Sequence, residues 1–471
     1  MNDRYESPLA SRYASEAMLR LFSPRKRIET WRRLWTELAR AEMQLGLPVT
    51  QEQVEELAAH ITDIDFACAA AREKEVRHDV MAHIYVYGKA APSAAGIIHL
   101  GATSCYVTDN GDLILFREGL QYLRRELLKL MKLLSGFADR YRALPAPGYT
   151  HYQPAQPVTV GKRAALWLQD FLSDLEELDF VLDNMKFLGC RGTTGTEASF
   201  LDLFEGDEKK IDELNRLLAA AFGFEECFPV CGQTYPRKLD SRILNVLSSL
   251  AQSAYRMAQD IRLLQHDRQL EEPFEESQIG SSAMAYKRNP MRCERICSLS
   301  RTLMTEAVNA PLTASAQWLE RTLDDSAGRR IFMPEAFLCA DAILRLAQNV
   351  VGGLRVNEAV IERCLREYLP FAATENLMME AVKRGGDRQQ LHEVIRQCSM
   401  ESRMAMDAGG VCDLPERLAG QPEFRLTAEE INAMLRPEIF IGRCPQQVTM
   451  FLEQLRPLLR DVDEEQSEIS V

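Results

Sequence analysis

The amino-acid sequence predicts an all-α protein of three domains, built around a central bundle of long helices. Apolar residues recur three or four positions apart over unusually long segments that contain no proline. Short stretches rich in Pro, Gly and Thr separate these segments. Both ends of the 471-residue chain show shorter helical patterns. Helices of about 30 residues must pack along one another, as in a bundle or between subunits.

The predicted domains follow the lengths of the helical segments. Residues 1–105 favour short helices, residues 106–358 contain the long helices, and residues 359–471 return to short ones before an acidic tail that we expect to fray. In the central domain the segment 112–144 is the clearest, since Leu113, Phe116, Leu120, Leu123 and Leu127 mark one helix face. Comparable segments cover 160–188, 237–270 and 291–310.

The composition excludes several classes of protein. With 56 Lys and Arg against 69 Asp and Glu, the formal net charge of −13 argues against binding to nucleic acid or acidic membranes. No stretch of about 20 apolar residues lacks charge, so no membrane span is predicted. The first residues are too polar for a secretory signal, and 12 scattered cysteines favour reduced thiols. We therefore expect a cytoplasmic protein.

The cysteine spacing gives no support to a metal site. Cys227 and Cys231, like Cys293 and Cys297, are four residues apart and lack the paired short spacing typical of structural zinc. The usual motifs of zinc proteases, P-loops and dinucleotide-binding folds do not occur. We predict no metal and no cofactor.

The segment 271–301 is the strongest candidate for chemistry. Between residues 285 and 301, five cations and one acid place a local charge of +4 in an acidic chain. These charges follow a Gly-Ser-Ser turn and accompany a proline at a predicted helix start, a combination suited to capturing an anion. A solvated basic helix start is the alternative.

Three weaker candidates lie elsewhere. His151 follows Thr150 in a stretch rich in proline, where a fixed imidazole suits proton transfer, although a structural role is equally open. The string Arg77-His78-Asp79 is weak by itself, because adjacent side chains on a helix do not face one another. The segment 320–330 could bind phosphate through its arginines or form an ordinary charged turn. The turn at 191–196 is interpreted as structural.

The string GSSAMAYKRNP at residues 280–290 resembles the signature loop of the fumarase/aspartase superfamily. Further strings most resemble the adenylosuccinate lyase family within it, in its animal-type form: SRY at 11–13, RHDVMAH at 77–83, GATS at 101–104, THYQPAQ at 150–156, QTYPRK at 233–238 and ERTLDDS at 320–326. The resemblance implies a three-domain helical fold whose long helices form the core of a homotetramer. It also implies that each site takes loops from three subunits.

The resemblance further implies a reaction in purine nucleotide biosynthesis, on the routes to IMP and AMP. Members of this family release fumarate from adenylosuccinate to give AMP, and from SAICAR to give AICAR, by β-elimination. By family pattern Ser281 is the base and His151 the acid. Lys287 and Asn289 stabilise the substrate carboxylate as it gains charge, and Glu294 orients the histidine.

The resemblance also supplies a set of expected substrate contacts. Those matching the phosphate site are Arg12, Tyr13, Ser326 and Arg330. Those near the succinyl carboxylates are Thr103, Ser104 and Lys287. Other nucleotide and succinyl contacts are Arg77, His78, Asp79, Gln233, Arg295 and Arg321.

The chain departs from the family pattern at one signature position. Ala285 stands where the signature has proline, which predicts a more mobile loop and an intact site. Two alternatives stay open: another fumarate-releasing enzyme, such as an argininosuccinate lyase, and an inactive helical scaffold.

Overall fold

The computed structural model describes residues 3–275, 283–284 and 286–463. The all-α prediction is confirmed, since helices dominate this part of the chain and its only strands form two small two-stranded antiparallel sheets. None of the helices within the described ranges is both long and apolar enough to cross a membrane.

The N-terminal region folds into short helices, with α2 as the longest. A π-helical turn, Leu9–Tyr13, precedes it. The helices are α1 (Glu16–Leu21), α2 (Pro24–Gln44), α3 (Gln51–Ala59), α4 (Phe66–Val76) and α5 (Asp79–Ala90), followed by a 3₁₀ turn at Pro92–Ala94.

The central region contains the long helices and both small sheets. Its elements are α6 (Ser104–Arg140), β1 (Pro145–Thr150), β2 (Gln153–Thr159), α7 (Val160–Asp183), α8 (Ala198–Leu203), α9 (Glu208–Ala221), α10 (Lys238–His266), β3 (Leu270–Glu271), α11 (Met291–Glu306), α12 (Asn309–Ser315), α13 (Asp324–Gly352) and β4 (Arg355–Val356). The C-terminal elements are α14 (Glu358–Ala372), α15 (Thr374–Lys383), α16 (Arg388–Asp407), α17 (Leu414–Ala419), α18 (Ala428–Met434), a 3₁₀ turn at Pro437–Ile439, and α19 (Cys444–Leu459).

The long helices pack along one another through their apolar faces, as the periodicity predicts. Helix α6 lies against α7 and α13, and α10 lies against α11 and α13. The leucines that predict the face of α6, among them Leu113, Leu120 and Leu127, are fully buried. Burying such a side chain stabilises the fold by about 1.5–3 kcal/mol, so this shared face is the main source of stability for the bundle.

The described chain contains two hydrophobic cores. The larger one joins the N-terminal helices to the central bundle and includes Val448, Leu455 and Leu459 of α19. The smaller one joins α15–α18 and is built around residues such as Leu377 and Phe424. The C-terminal helix thus returns to the central bundle, where it packs on α6 and α7. The proposed domain boundaries near residues 105 and 358 stay a prediction.

Three elements differ from the sequence prediction. Helix α13 (Asp324–Gly352) is a long helix that no predicted segment covers, and Pro334 lies inside it. Helix α6 begins at Ser104, eight residues before the expected start at 112, because residues 104–111 form its first two turns. The proline-rich stretch 145–159 is a β-hairpin rather than an irregular loop, with Thr150 paired to Gln153. His151 and Tyr152 occupy its two-residue turn with φ of 52° and 57°, and two positive values are typical of a type I′ turn.

Candidate active site

A cavity of about 760 Å³ lies where the starts of three helices meet. Helix α5 begins at Asp79, α6 at Ser104 and α13 at Asp324, and all three present first-turn residues to this cavity. Helix N-termini carry unpaired N–H groups and a partial positive charge, so their meeting point favours an anionic ligand. The predicted site residues that line it are Arg77, His78, Asp79, Thr103, Ser104, Gln233, Arg321, Ser326 and Arg330.

The string Arg77-His78-Asp79 lies at the break between α4 and α5, not within a helix. Arg77 ends α4 in the left-handed conformation (φ 56°), and His78 is the extended N-cap of α5. Because of this break, all three residues line the cavity. The expectation that adjacent side chains on a helix cannot face one another therefore does not apply to this string.

His78 is oriented by hydrogen bonds at both ring nitrogens. Its Nδ1 accepts a hydrogen bond from the backbone N–H of Met81 (3.4 Å), as an N-cap side chain does. Its Nε2 lies 3.2 Å from the hydroxyl oxygen of Ser104. Because Nδ1 accepts a hydrogen bond, the neutral ring carries its proton on Nε2. This N–H group donates a hydrogen bond to the hydroxyl oxygen of Ser104. The contact holds the starts of α5 and α6 together at the cavity wall.

Buried ion pairs form one wall of the cavity. The guanidinium of Arg237 binds Asp109 (2.7 Å) and Asp325 (2.6 Å), and Arg321 binds the second oxygen of Asp325 (2.7 Å). Burial by itself would raise the pKa of Asp325, but the neighbouring Arg237 and Arg321 hold it below its ordinary value. The carboxylate therefore stays charged and fixes both arginines.

Arg329 organises a second buried cluster beside the first. Its guanidinium binds Asp240 (2.6 Å) and Asp112 (3.1 Å), and the hydroxyl of Tyr235 donates to Asp240 (2.5 Å). Burial, as the main cause, raises the pKa of Asp112. Breaking such a buried pair commonly costs about 3–5 kcal/mol, so these clusters fix the cavity wall in one geometry.

Gln233 joins three segments around the cavity. Its side-chain amide donates to the carbonyl of Thr193 (3.0 Å) and accepts from the thiol of Cys105 (3.3 Å). At the neighbouring Gly232, an added Cβ would lie 2.5 Å from the carbonyl oxygen of Glu320. Only glycine permits this close approach, so the segment before α13 packs against residues 232–233, which also contact the turn at 191–196 through Gln233. The structural interpretation of that turn agrees with this packing.

Other predicted residues lie away from this cavity. His151 is exposed at the tip of the β1–β2 hairpin, and Glu294 on the first turn of α11 pairs with Arg262 at 4.0 Å. In the described part of the chain no hydrogen bond joins His151 to Glu294. The remaining ones are Lys287 and Asn289 just before α11, Arg295 within it, and Arg12 and Tyr13 in the first π-helical turn. Ser281 and Ala285 lie outside the described residues.

The cavity also contains residues that the sequence reasoning did not identify. The charged ones are Arg27, Glu73, Asp109, Asp112, Arg237, Asp325 and Arg329. Arg237 and Asp325 lie inside strings already recognised as family patterns, so the strings could have indicated them. Arg27 lies outside those strings, in a helix whose apolar periodicity gives no hint of a site.

The cysteines are all free thiols, and several are buried. Burial is the main cause that raises the pKa of Cys227 and of Cys231 to about 11, and that of Cys293 well above its ordinary value. Such thiols are protonated at neutral pH and unreactive. Among the residues with described positions, no cluster of His, Cys, Asp and Glu is arranged to hold a metal ion.

Comparisons with known proteins agree with the predicted family. Residues 21–304 match the family model described as Lyase, and residues 370–451 match the one described as Adenylosuccinate lyase C-terminus. The chain is 50% identical to an adenylosuccinate lyase of Schizosaccharomyces pombe, over 99% of both chains. It is 49% identical to one of Saccharomyces cerevisiae, over 100% of this chain and 99% of that protein.

Solved structures support the same fold at greater distance. A 3-carboxy-cis,cis-muconate lactonizing enzyme from Pseudomonas putida superposes with a TM-score of 0.84 at 23% identity, covering 96% of this chain and 99% of that one. A fumarate lyase from Mesorhizobium sp. BNC1 gives a TM-score of 0.80 at 23% identity, with the same coverage. Together with the full-length sequence relatives, these matches show that the chain belongs to the adenylosuccinate lyase family.

Proposed function

We propose that this chain is an enzyme that releases fumarate from adenylosuccinate to give AMP, and from SAICAR to give AICAR. The observation that carries the proposal is the 760 Å³ cavity, where cationic and hydroxyl side chains from four family strings meet at three helix starts. Both substrates carry a phosphate and two carboxylates. The guanidinium, hydroxyl and helix N–H groups around the cavity can donate hydrogen bonds to such anionic groups. The relatives that match the whole chain carry the name of this activity.

The proposed reaction is a β-elimination by general acid–base catalysis. A base removes a proton from the succinyl carbon next to a carboxylate, the electron pair forms the double bond of fumarate, and the carbon–nitrogen bond breaks. An acid protonates the departing nitrogen. We assign the base to Ser281 and the acid to His151, following the family pattern. A serine hydroxyl needs a cationic surrounding to act as a base, and the +4 charge of residues 285–301 supplies one.

The remaining catalytic roles are electrostatic and positional. Lys287 and Asn289 would stabilise the substrate carboxylate as negative charge moves onto it, an interaction that strengthens in the transition state. Glu294 would orient the imidazole of His151 for proton donation to the departing nitrogen. Within the single chain Glu294 faces Arg262, so we propose that this contact to His151 forms between subunits.

We further propose that the enzyme is a homotetramer whose sites combine residues of several subunits. The separation of the proposed residues supports this assembly. Nine of the proposed binding residues line one cavity, whereas Lys287 precedes α11 outside that cavity and His151 lies exposed on a hairpin. A second copy could bring a hairpin to the cavity without any change of fold. We also propose a cytoplasmic location, supported by the free thiols.

The first experiment is to add adenylosuccinate to the purified protein and to measure AMP and fumarate by chromatography, with argininosuccinate in parallel. Release of AMP and fumarate supports the proposal. Light scattering on the same sample should give the mass of four 53.5 kDa chains. Conversion of argininosuccinate alone, or an assembled tetramer without any activity, would contradict the proposed substrate and favour one of the two alternatives.

A further inference from the structure

Arg27 contributes a guanidinium group to the cavity that no sequence string indicated. It lies in the first turns of α2, and its guanidinium carbon lies 4.8 Å from the ring centre of Trp31, one helical turn further on. Trp31 is only 1% exposed, so this cation–π contact gives the arginine a rigid support. The side chain keeps 33% of its surface exposed, and it lines the cavity.

Asp79 joins Arg27 to Arg330 across the cavity. Its Oδ2 lies 3.1 Å from Arg330 and 3.7 Å from Arg27. Its Oδ1 accepts from the backbone N–H of Val80 (2.8 Å), which fixes the carboxylate in the first turn of α5. One carboxylate oxygen cannot satisfy two guanidinium groups, each of which has five N–H donors. Among the described residues, these three side chains therefore have unused donors and together carry a net charge of +1, and Asp112 and Glu73 are the further carboxylates that act on Arg27.

The two buried arginines of the cavity, Arg237 and Arg329, have no such excess. Arg237 lies between two carboxylates, and so does Arg329. Burial, as the main cause, lowers the pKa of Arg27, and repulsion from Arg330 lowers it further. The carboxylates of Asp112, Asp79 and Glu73 raise it. Arg27 and Arg330 repel each other and share the carboxylate of Asp79. A dianion bound between the two guanidinium groups would reduce this repulsion.

We propose that Arg27 is a further phosphate-binding residue, which grips the phosphate of the nucleotide substrate together with Arg330. Asp79 acts as the spacer that holds the two guanidinium groups apart and oriented. The inference rests on the proposed function, in which Arg330 and Ser326 face the phosphate. A phosphate dianion matches two forked guanidinium groups in charge and in geometry.

The test is steady-state kinetics of Arg27→Gln and Arg27→Lys with adenylosuccinate. For Arg27→Gln we expect KM to rise about tenfold while kcat stays within about twofold, since the contact is made equally in the ground and transition states. Arg27→Lys keeps the positive charge and loses the forked pair of N–H donors. Its KM should therefore lie between those of the wild type and Arg27→Gln. Arg25→Gln is the matched control, because Arg25 lies on the same helix, pairs with Glu29 and does not line the cavity. Its KM should equal that of the wild type.

Product inhibition identifies which anion Arg27 binds. We expect inhibition by AMP to weaken about tenfold in Arg27→Gln, while inhibition by adenosine and by fumarate stays unchanged. Weaker inhibition by fumarate alone would place Arg27 at the succinyl group and overturn the proposal. Equal weakening for AMP and adenosine would show a merely structural role and would also overturn it. If Arg27→Gln melts far below the wild type, inhibition of Arg27→Lys by AMP and by adenosine is compared instead. Weaker inhibition by AMP alone would support the proposal, and equal weakening for both would overturn it. An inactive wild type would instead contradict the proposed function.

Discussion

The Nε2 atom of His78 lies 3.2 Å from the hydroxyl oxygen of Ser104, and this contact joins the starts of two helices that are 26 residues apart in sequence. The imidazole is the N-cap of α5, and the hydroxyl is in the first turn of α6. Both groups line the cavity, so they can hold each other in place while they face a ligand.

Substitution of Ser104 tests this contact. Ser104→Ala removes the partner of the His78 ring and one hydroxyl of the proposed carboxylate site. We expect kcat/KM for adenylosuccinate to fall about tenfold, in keeping with the loss of one hydrogen bond to a charged group. Ser173→Ala is the control, since this exposed hydroxyl bonds only the carbonyl of Gln169. Unchanged kcat/KM in Ser104→Ala would show that neither the contact nor the hydroxyl matters for activity.

Loss of either proposed proton-transfer group should abolish turnover. We expect His151→Ala and Ser281→Ala each to lower kcat by at least about 10²-fold, because proton transfer commonly contributes that much or more, and to leave the tetramer intact. Light scattering and kinetics on each variant are the measurements. A variant that keeps its activity would contradict the role assigned to that residue.

Mixing the two inactive variants tests whether the sites are shared. If His151 and Ser281 of one site come from different subunits, random mixed tetramers regain intact sites, and about one quarter of wild-type activity should return. The subunits are exchanged in mild denaturant, and activity is then measured against each variant treated alone. No recovery, with exchange verified by a labelled subunit, would place both residues of a site on one chain.

Glu42 should make the fold less stable as the pH rises. The side chain is fully buried, neither carboxyl oxygen has a hydrogen-bond partner among the described residues, and burial raises its pKa to about 9. The ordinary pKa of a glutamate is 4.5. Between pH 4.5 and pH 9, Glu42 is therefore protonated in the folded state and ionised in the unfolded state. The free energy of unfolding then falls as pH rises, by up to about 1.4 kcal/mol per pH unit. The adjacent Cys190 adds nothing over this range, because burial and then Glu42 raise its pKa well above the ordinary value.

Urea unfolding at pH 5.5 and pH 8 measures this effect. The wild type should lose about 3 kcal/mol between the two values on account of Glu42, and Glu42→Gln should lose correspondingly less. Glu37→Gln, on the same helix and paired with Arg40, should behave like the wild type. Equal slopes for Glu42→Gln and the wild type would mean that this carboxyl group is ionised in the folded protein.

The alanine in the signature loop gives a further prediction. Ala285→Pro restores the family residue and restricts the backbone, so we expect a change in turnover or slower cleavage of the loop by protease. Kinetics and limited proteolysis are compared between the two proteins. If neither changes, the alanine has no effect on loop mobility.

The sequence predicts four of the long helices, whose buried faces are apolar, but it misses α13 and the start of α6. There the first two turns bury Asp109 and Asn110. Asp109 binds Arg237, and the amide of Asn110 donates to the carbonyl of Gly189 (3.0 Å). Polar residues buried in this way interrupt the apolar period, so the pattern locates the helix start too late. The partners that make this burial stable lie about 80 to 130 residues away.

By itself the sequence determined the helical class and the family, and it indicated nine of the 25 residues around the cavity, because periodic apolar faces and long motifs are local properties of the chain. Only the tertiary structure decided which motif residues share one cavity and which lie elsewhere. It also decided that prolines around His151 frame a hairpin, and that Arg27 joins Arg330 at Asp79. These facts depend on contacts between distant segments, since charge pairing and helix packing act through space and leave no fixed spacing in sequence.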